Sequence, residues 1–335
     1  MSVRVRFGVT TMATDPPERF RELVGLIEAA GFDELWVCDS SLHARDVWSY
    51  LTLAATASRR LSLGPNCTHP YTRHAAITLN ACATLHELSG GRAALALGAG
   101  DRPVNELGYR PAPVAVVREM ITLLRRLEAG ETVNAGEPIG LKGARLSFGL
   151  GAPLPIYVAA SGPRMLEMAG EVADGVLFFS GVDPACVEWA LERIRAGMKR
   201  AERGPASVDV ACTIAGSLSD DLDRARAECV PMAAWFPQTA PEYVTLVGVP
   251  PEVVHAIRSA YAGGHFDAAP RAFAQVTDPM VEAFTVAGPA ELWVRRIKEV
   301  LAAGVTHVNI FLLSGDKHAM VRELAERVLP HVASA

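Results

Sequence analysis

Eight apolar runs of strand length alternate with helical patterns along most of this chain. The runs fall at residues 3–11, 33–38, 60–67, 92–98, 155–160, 175–179, 207–214 and 305–312. The helical patterns fall at 17–30, 46–58, 74–88, 113–129, 163–172, 183–203, 219–229, 289–303 and 316–330. Continuous apolar runs, such as Leu35 to Cys38, are typical of strands buried on both faces of a parallel sheet. The alternation therefore predicts an α/β fold of the (β/α)8 TIM-barrel class.

Two segments interrupt the alternation. Residues 131–149 are rich in glycine and proline, which predicts a hairpin after the fourth helix. Residues 230–287 carry repeated prolines around helical patterns, which predicts a helical insertion between strands seven and eight. Barrels of about 250 residues commonly grow by such insertions. We therefore expect one domain over residues 1–335, with insertions at about 131–149 and 230–287.

An open, doubly wound sheet is the alternative architecture. Such a sheet carries its glycine-rich phosphate loop directly after the first strand. In this chain the corresponding turn, Thr10 to Asp15, contains no glycine. The first turn therefore favours the closed barrel.

The composition limits the kinds of molecule that this protein is expected to bind. The net charge is −5 and charges of both signs are interspersed, so the sequence predicts neither a nucleic-acid partner nor a membrane surface. The chain begins directly with a strand pattern, and its six cysteines form no CxxC pair. We therefore expect a cytoplasmic protein with reduced thiols and no metal site. A small organic molecule is the expected substrate.

Residues that end barrel strands are expected to face the active site. Two acids, Asp39 and Asp101, occupy such positions, although either one is equally well explained as a helix cap or a loop ion pair. Cys67 also ends a strand, and a packed thiol is a better interpretation of it than a nucleophile. The other predicted strand-end residues are Thr10, Thr11, Ser40, Asn66, Thr68, Gly100, Ala160, Ser161, Gly162 and Ser180.

The turn after strand five suits an anion. Ser161, Gly162 and Pro163 open a helix there, and the free amides at a helix start can bind phosphate. A plain structural turn is the alternative interpretation. Asp174 and Gly175, beside strand six, offer a neighbouring place where a ligand can approach small residues.

Several long segments resemble the bacterial-luciferase-like flavin and deazaflavin oxidoreductases, and most of all their F420-dependent methylenetetrahydromethanopterin reductase branch. The segments are LGPNCTHPYTRH at Leu63 to His74, LSGGRAALALGAGD at Leu88 to Asp101 and YVAASGPRMLEMAGEVADGVL at Tyr157 to Leu177. The resemblance implies a barrel, often a homodimer, with coenzyme F420 bound at the carboxyl ends of the strands. It also implies a cis peptide bond between Asn66 and Cys67.

The resemblance assigns residues to the two ends of the cofactor. Asp39, Asn66, Cys67, Thr68, Gly98, Gly100 and Asp101 would line the ring end. Ser161, Gly162, Pro163, Asp174 and Gly175 would hold the phosphate tail, and Ala160 beside them is also expected to bind the cofactor. For polar or proton-transfer roles we expect Asp101 and Asp39 first, followed by Glu119 and His43, which also have simple explanations as a solvated charge and a loop residue.

The leading functional hypothesis is hydride transfer between a deazaflavin, coenzyme F420, and an organic substrate. One alternative keeps the fold but uses FMN, as a luciferase-like monooxygenase or reductase. Another is a non-catalytic protein that binds a flavin or deazaflavin. Thr10 replaces a glutamate that the branch pattern carries near the end of strand one. Because this carboxylate is missing, we expect a substrate other than methylenetetrahydromethanopterin.

Overall fold

A barrel of parallel strands forms the body of the protein, as a computed structural model that describes residues 4–261 and 270–332 shows. Eight strands follow one another in the order β3-β2-β1-β11-β9-β8-β7-β4. The strands are β1 Arg6–Met12, β2 Glu34–Cys38, β3 Ser62–Pro65, β4 Leu95–Leu97, β5 Val133–Ala135, β6 Leu141–Ala144, β7 Ile156–Ala160, β8 Gly175–Phe178, β9 Asp209–Leu218, β10 Val286–Gly288 and β11 His307–Leu312.

The ring closes where β3 meets β4. The Leu63 amide donates to the Arg92 carbonyl at 2.9 Å, and further along the Thr68 amide donates to Ala96 at 3.0 Å. The Gly98 amide returns a hydrogen bond to the Thr68 carbonyl at 2.9 Å. The sheet is therefore a closed cylinder, which confirms the predicted barrel and excludes the open doubly wound sheet.

Helices surround the cylinder. They are α1 Pro17–Ala29, α2 Val47–Ala57, α3 Ala75–Leu88, α4 Arg102–Glu106, α5 Val114–Glu128, α6 Pro163–Val172, α7 Pro184–Arg200, α8 Leu222–Ala233, α9 Phe236–Thr239, α10 Pro241–Leu246, α11 Pro251–Tyr261, α12 Pro270–Phe273, α13 Asp278–Phe284, α14 Ala290–Ala302 and α15 Lys317–Glu323. A π-helical turn, Leu324–Val328, and a 3-10 turn, Leu329–His331, continue α15. A further 3-10 turn, Pro205–Ser207, precedes β9.

Helix α1 shows how the sequence sets these elements. Pro17 occupies the first turn, where its missing amide hydrogen costs nothing. Phe20, Leu23 and Ile27 lie on one face and are fully buried against the barrel. Gly31 then adopts a φ of 88°, a left-handed conformation that ends the helix at little cost in a glycine.

Two excursions leave the barrel. Strands β5 and β6 form an antiparallel hairpin inside residues 131–149. Helices α9 to α13 fall inside residues 230–287, and the short strand β10, which begins in this segment and ends at Gly288, pairs with β9 in parallel. Part of this second segment, residues 262–269, lies outside the described residues.

The amino-terminal end of the barrel is filled by buried charges. His307 Nδ1 lies 3.0 Å from Asp209 Oδ2, and its Nε2 lies 3.0 Å from Glu34 Oε2 in an ion pair that lacks the alignment of a good hydrogen bond. Arg6 also pairs with Asp209, and the Trp36 indole donates to Glu34 at 2.8 Å. Glu34, Asp209 and His307 are close enough together to bind a metal, but their opposite charges already compensate one another.

Within residues 4–261 and 270–332, none of the helices combines the length and the apolar character that a membrane span requires.

Candidate active site

The mouth of the barrel, at the carboxyl ends of its strands, gathers most of the predicted site residues. Asp39 directly follows β2, while Asn66, Cys67 and Thr68 directly follow β3. Gly98 and Gly100 follow β4 and lead to Asp101. Since β2, β3 and β4 are neighbours around the ring, these residues form one continuous wall.

The segment after β3 has an unusual backbone. The peptide bond between Asn66 and Cys67 is cis, as the family resemblance implies. The Asn66 side chain donates to Thr10 Oγ1 at 3.1 Å, and Asn309 donates to the same oxygen at 2.8 Å. Asn309 is fully buried and Thr10 almost so. A neutral polar layer, made by β1 and β11, therefore supports the wall from inside the barrel.

Cys67 is not suited to act as a nucleophile. Burial, together with the charges of Asp101 and Asp39, raises the pKa of the Cys67 thiol to about 12. The thiol is therefore protonated at neutral pH, which supports the prediction of a packed side chain.

Glycine is required at two positions in the loop after β4. A Cβ on Gly98 would lie 2.4 Å from Cys67 Sγ, so the two loops approach more closely than any other residue allows. Gly100 has a φ of 78°, and a Cβ there would lie 2.2 Å from Val104 Cγ2. The glycines thus bring the backbone of the β4 loop against the cis segment.

Buried polar atoms without a good partner cluster beside this wall. Asp39 Oδ2, Thr68 Oγ1 and His69 Nδ1 are all buried and make no well-formed hydrogen bond. Burial raises the pKa of the Asp39 carboxyl, although the neighbouring Thr68 hydroxyl and His69 favour its charged form. Burial likewise lowers the pKa of His69, against the attraction of Asp39 and Asp101. Buried polar groups left unpaired are costly, so their concentration here is typical of a ligand site.

Asp101 reaches across the mouth. It precedes α4 but makes no side-chain capping hydrogen bond to that helix. Instead its Oδ2 accepts a hydrogen bond of 3.2 Å from the indole Nε1 of Trp235, which lies between α8 and α9. The predicted helix-cap explanation of Asp101 is therefore not supported.

His43 joins two loops of the rim. It lies in the loop between β2 and α2, and its Nε2 pairs with Glu106 at the end of α4. Both side chains are largely buried, with 15% of each exposed. The pair ties the β2 loop to the β4 loop at the edge of the mouth.

The helix start after β7 lies open. Gly162 takes the N-cap position of α6 without a side-chain cap, and Pro163 is the first helical residue. Nothing lies within 4 Å of a Cβ built on Gly162. The preceding carbonyl, that of Ser161, accepts a hydrogen bond of 2.9 Å from the Tyr243 hydroxyl. An uncapped helix start with free space before it fits an anionic group.

Three predicted residues are not brought to this mouth. Asp174 and Gly175 lie at the amino end of β8, the opposite end of the barrel. Asp174 accepts from the Ile156 amide at 2.7 Å and pairs with Arg125. Gly175 makes room for Tyr157, whose ring would lie 2.1 Å from a Cβ there. Glu119 lies in the second turn of α5, in the outer ring of helices.

The carboxyl end of β8 carries different residues. Ser180 is fully buried there, and Gly181 adopts a φ of 80° close to the Ala283 carbonyl. The residues after β8, rather than Asp174 and Gly175, therefore lie at the same end of the barrel as Gly162, which corrects the predicted placement of Asp174 and Gly175. The sequence did carry a signal for this, since active-site residues of a parallel barrel follow a strand, whereas Asp174 and Gly175 stand at the start of one.

Other mouth residues were missed for lack of a sequence signal. Trp235 lies in an insertion with no recognisable motif. Lys317 begins α15 and donates to the Met12 carbonyl at 3.1 Å, so it fastens the end of β1.

A cavity of about 410 Å³ lies beside Asp39 and is lined by Ser41, Arg45, Asp46, Thr72, Arg73, His74 and Ile77.

Known proteins resemble this chain over nearly its full length. The model of the luciferase-like monooxygenase family matches residues 1–307. A 5,10-methylenetetrahydromethanopterin reductase from Methanolobus tindarius is 37% identical over 306 residues, covering 90% of this chain and 92% of the relative. An F420-dependent glucose-6-phosphate dehydrogenase from Beutenbergia cavernae is 31% identical over 325 residues, covering 92% and 91%.

Solved structures agree with these relatives. The coenzyme F420 dependent tetrahydromethanopterin reductase from Methanopyrus kandleri superposes with a TM-score of 0.82 and 29% identity, covering 98% of this chain and 100% of that one. These relatives are oxidoreductases. On this evidence the chain belongs to the luciferase-like monooxygenase family.

Proposed function

We propose that this protein is an F420-dependent oxidoreductase that transfers hydride between the deazaflavin and a small organic substrate. Relatives named as F420-dependent enzymes, together with the 5,10-methylenetetrahydromethanopterin reductases, support the choice of cofactor. The observation that carries the proposal is the pairing of two features at one mouth. One is the wall of Asp39, Cys67 and Gly98, and the other is the open helix start at Gly162.

The residues present fit the two ends of such a cofactor. Gly98 lets the β4 loop lie against the Asn66–Cys67 segment, because Cys67 Sγ fills the space that a side chain would take, and the two segments together offer a continuous surface for a flat ring. The buried and unpaired Asp39 Oδ2 and His69 Nδ1 are polar atoms that a ring or its substrate can satisfy. The amides at Gly162 favour an anion for the tail.

When bound, the deazaflavin supplies the hydride-transfer chemistry at C5. The protein contributes position and a dry environment. Asp101, held by Trp235, places a carboxylate at the mouth. Asp39 is the second acid there, and burial raises the pKa of its carboxyl, which favours a role in holding a proton. The His43–Glu106 pair closes the rim above them.

The substrate is proposed to differ from methylenetetrahydromethanopterin. Thr10 occupies the end of β1 and is almost fully buried, with its hydroxyl bonded to Asn309 and Asn66. A neutral network therefore takes the place of an acid at this position. We also infer a homodimer from the family resemblance, and a single-domain cytoplasmic protein from the sequence. All six cysteines are free thiols, which suits a reducing compartment.

Titration of the apoprotein with coenzyme F420 and with FMN tests the proposal. We expect saturable quenching by F420 and weak or undetectable binding of FMN. The matched variant Gly98→Ala should lose F420 binding, whereas Gly204→Ala, where a Cβ meets nothing within 4 Å, should retain it. Tight binding of FMN without binding of F420 would instead support a flavin-dependent monooxygenase or reductase. Binding of F420 without turnover of any substrate would support a carrier protein.

A further inference from the structure

One aromatic cluster from the insertion reaches both ends of the proposed site. Trp235, which follows α8, donates to Asp101 at 3.2 Å, and Tyr243 in α10 donates to the Ser161 carbonyl at 2.9 Å. The two donors lie in one helical segment, while Asp101 and Ser161 follow different barrel strands. The segment therefore fixes two separate parts of the mouth at once.

The cluster between these two donors is closely packed. The Trp235 ring contacts Phe236 edge-on, with centroids 5.2 Å apart, and Phe179 at 5.3 Å. Phe236 stacks on Phe284 at 4.1 Å with an interplanar angle of 10°. Phe236 and Phe284 are both fully buried. Large buried rings in contact hold one another in place, so the indole N–H has a defined position.

We propose that Trp235 is a positioning residue for Asp101: its indole N–H holds the carboxylate at the cofactor side of the mouth. The Asp101 carboxylate caps no helix, although it stands at the N-cap position of α4. A hydrogen bond to an ionised acceptor is stronger than one between neutral groups. The indole has one donor hydrogen and no acceptor, so it can orient the carboxylate but cannot take its proton.

This inference rests on the proposed function for its consequence, but the hydrogen bond itself is testable without any cofactor. The chain has five tryptophans, so its ¹⁵N spectrum should contain five indole signals. Trp235→Phe identifies the Trp235 signal by its loss, and Trp48→Phe identifies that of Trp48, whose buried Nε1 has no partner. Asp101→Asn should shift the Trp235 signal and leave the Trp48 signal in place. An unshifted Trp235 signal would overturn the proposal.

A double-mutant cycle on F420 binding tests the functional consequence. We expect Trp235→Phe and Asp101→Asn each to weaken F420 binding roughly tenfold, the size of one hydrogen bond to a charged group. The double variant should be no weaker than Asp101→Asn alone, since both changes remove the same interaction. Additive losses in the double variant would show that Trp235 acts only through packing and would contradict the proposal.

Tyr243→Phe supplies the matched comparison. It removes a donor from the same aromatic cluster, but at the Ser161 end. Its effect on F420 affinity should add to that of Asp101→Asn, because the two sites share no partner. Trp48→Phe should leave the affinity unchanged. If the wild-type protein does not bind F420, the proposed function fails, while the indole spectrum still decides whether Trp235 holds Asp101.

Discussion

The imidazole of His307 lies 3.0 Å from the carboxylate of Asp209, deep in the amino end of the barrel. Burial alone would lower the pKa of His307, but the charges and hydrogen bonds of Glu34 and Asp209 raise it to about 9. Burial opposes ionisation of the carboxylates as well, yet His307 and Arg6 hold the pKa of Asp209 below its usual value. The cluster is therefore most stable while the imidazolium and both carboxylates are charged.

This arrangement predicts a stability that depends on pH. A histidine whose pKa is raised on folding stabilises the folded state fully below its unfolded pKa of about 6.5. This stabilisation is lost as the pH rises through the folded pKa. We expect the free energy of unfolding in urea to fall between pH 6.5 and pH 9 by an amount on the order of 3 kcal/mol.

His307→Gln is the control for this prediction. It should lower the free energy of unfolding at pH 6.5 by roughly 3–5 kcal/mol, because Glu34 and Asp209 lose the positive charge that lies between them. It should also flatten the decline between pH 6.5 and pH 9. An equally steep decline in the variant would assign the pH dependence to other groups.

Asp39→Asn should separate stability from activity. Burial raises the pKa of the Asp39 carboxyl, so keeping it charged at neutral pH costs folding free energy. The neutral amide should therefore raise the Tm by roughly 1–3 °C. If Asp39 handles a proton, turnover should fall by about 10²–10⁴-fold. Calorimetry and a turnover assay on the same preparation check both effects, and unchanged turnover would restrict Asp39 to a structural role.

Gly98→Ala should damage the mouth more than the fold. The added methyl would lie 2.4 Å from Cys67 Sγ, so the Asn66–Thr68 segment or the β4 loop must move. Overpacking of this kind costs about 1–3 kcal/mol. Urea unfolding should show a loss of unfolding free energy within this range. The loss of F420 binding free energy should be larger than this loss of stability. Gly204→Ala should change neither quantity. Retained affinity in Gly98→Ala would remove the segment from the ring-binding surface.

Gly162 offers a test of the tail. Gly162→Ser and Gly162→Asp both place a good capping side chain at the start of α6, and each should change helix stability by only a few tenths of a kcal/mol. Only the aspartate adds a negative charge where an anionic tail is proposed. Its F420 affinity should therefore fall roughly tenfold or more below that of the serine variant, with the gap shrinking in high salt. Equal affinities of the two variants would mean that the tail lies elsewhere.

The barrel could be predicted from the sequence because its signal is local. Each strand is a short apolar run, and each helix carries its own start and stop residues, as Pro17 and Gly31 do for α1. The β4 loop also carries a local signal, since Gly98 and Gly100 predict that its backbone comes close to a neighbouring segment or ligand. Local patterns of this kind can be recognised without knowing which residues pack against them.

The parts that were missed depend on contacts distant in sequence. Trp235 lies 134 residues from Asp101, and no pattern links them. Asp174 and Gly175 resemble a ligand-binding turn in sequence, but they lie at the amino end of β8. There Asp174 accepts a hydrogen bond from the Ile156 amide, and Gly175 makes room for the Tyr157 ring. The buried charges of Glu34 and His307 meet only because β2, β1 and β11 are adjacent in register. Such pairings require the three-dimensional arrangement of the strands.

The seam between β3 and β4 joins the cylinder through the backbone of Thr68 and Gly98, the same stretch proposed to cradle the ring. A cofactor bound at this seam should therefore also hold β3 and β4 together. Without the cofactor, we expect the hydrogen bonds between these two strands to open before those elsewhere in the barrel.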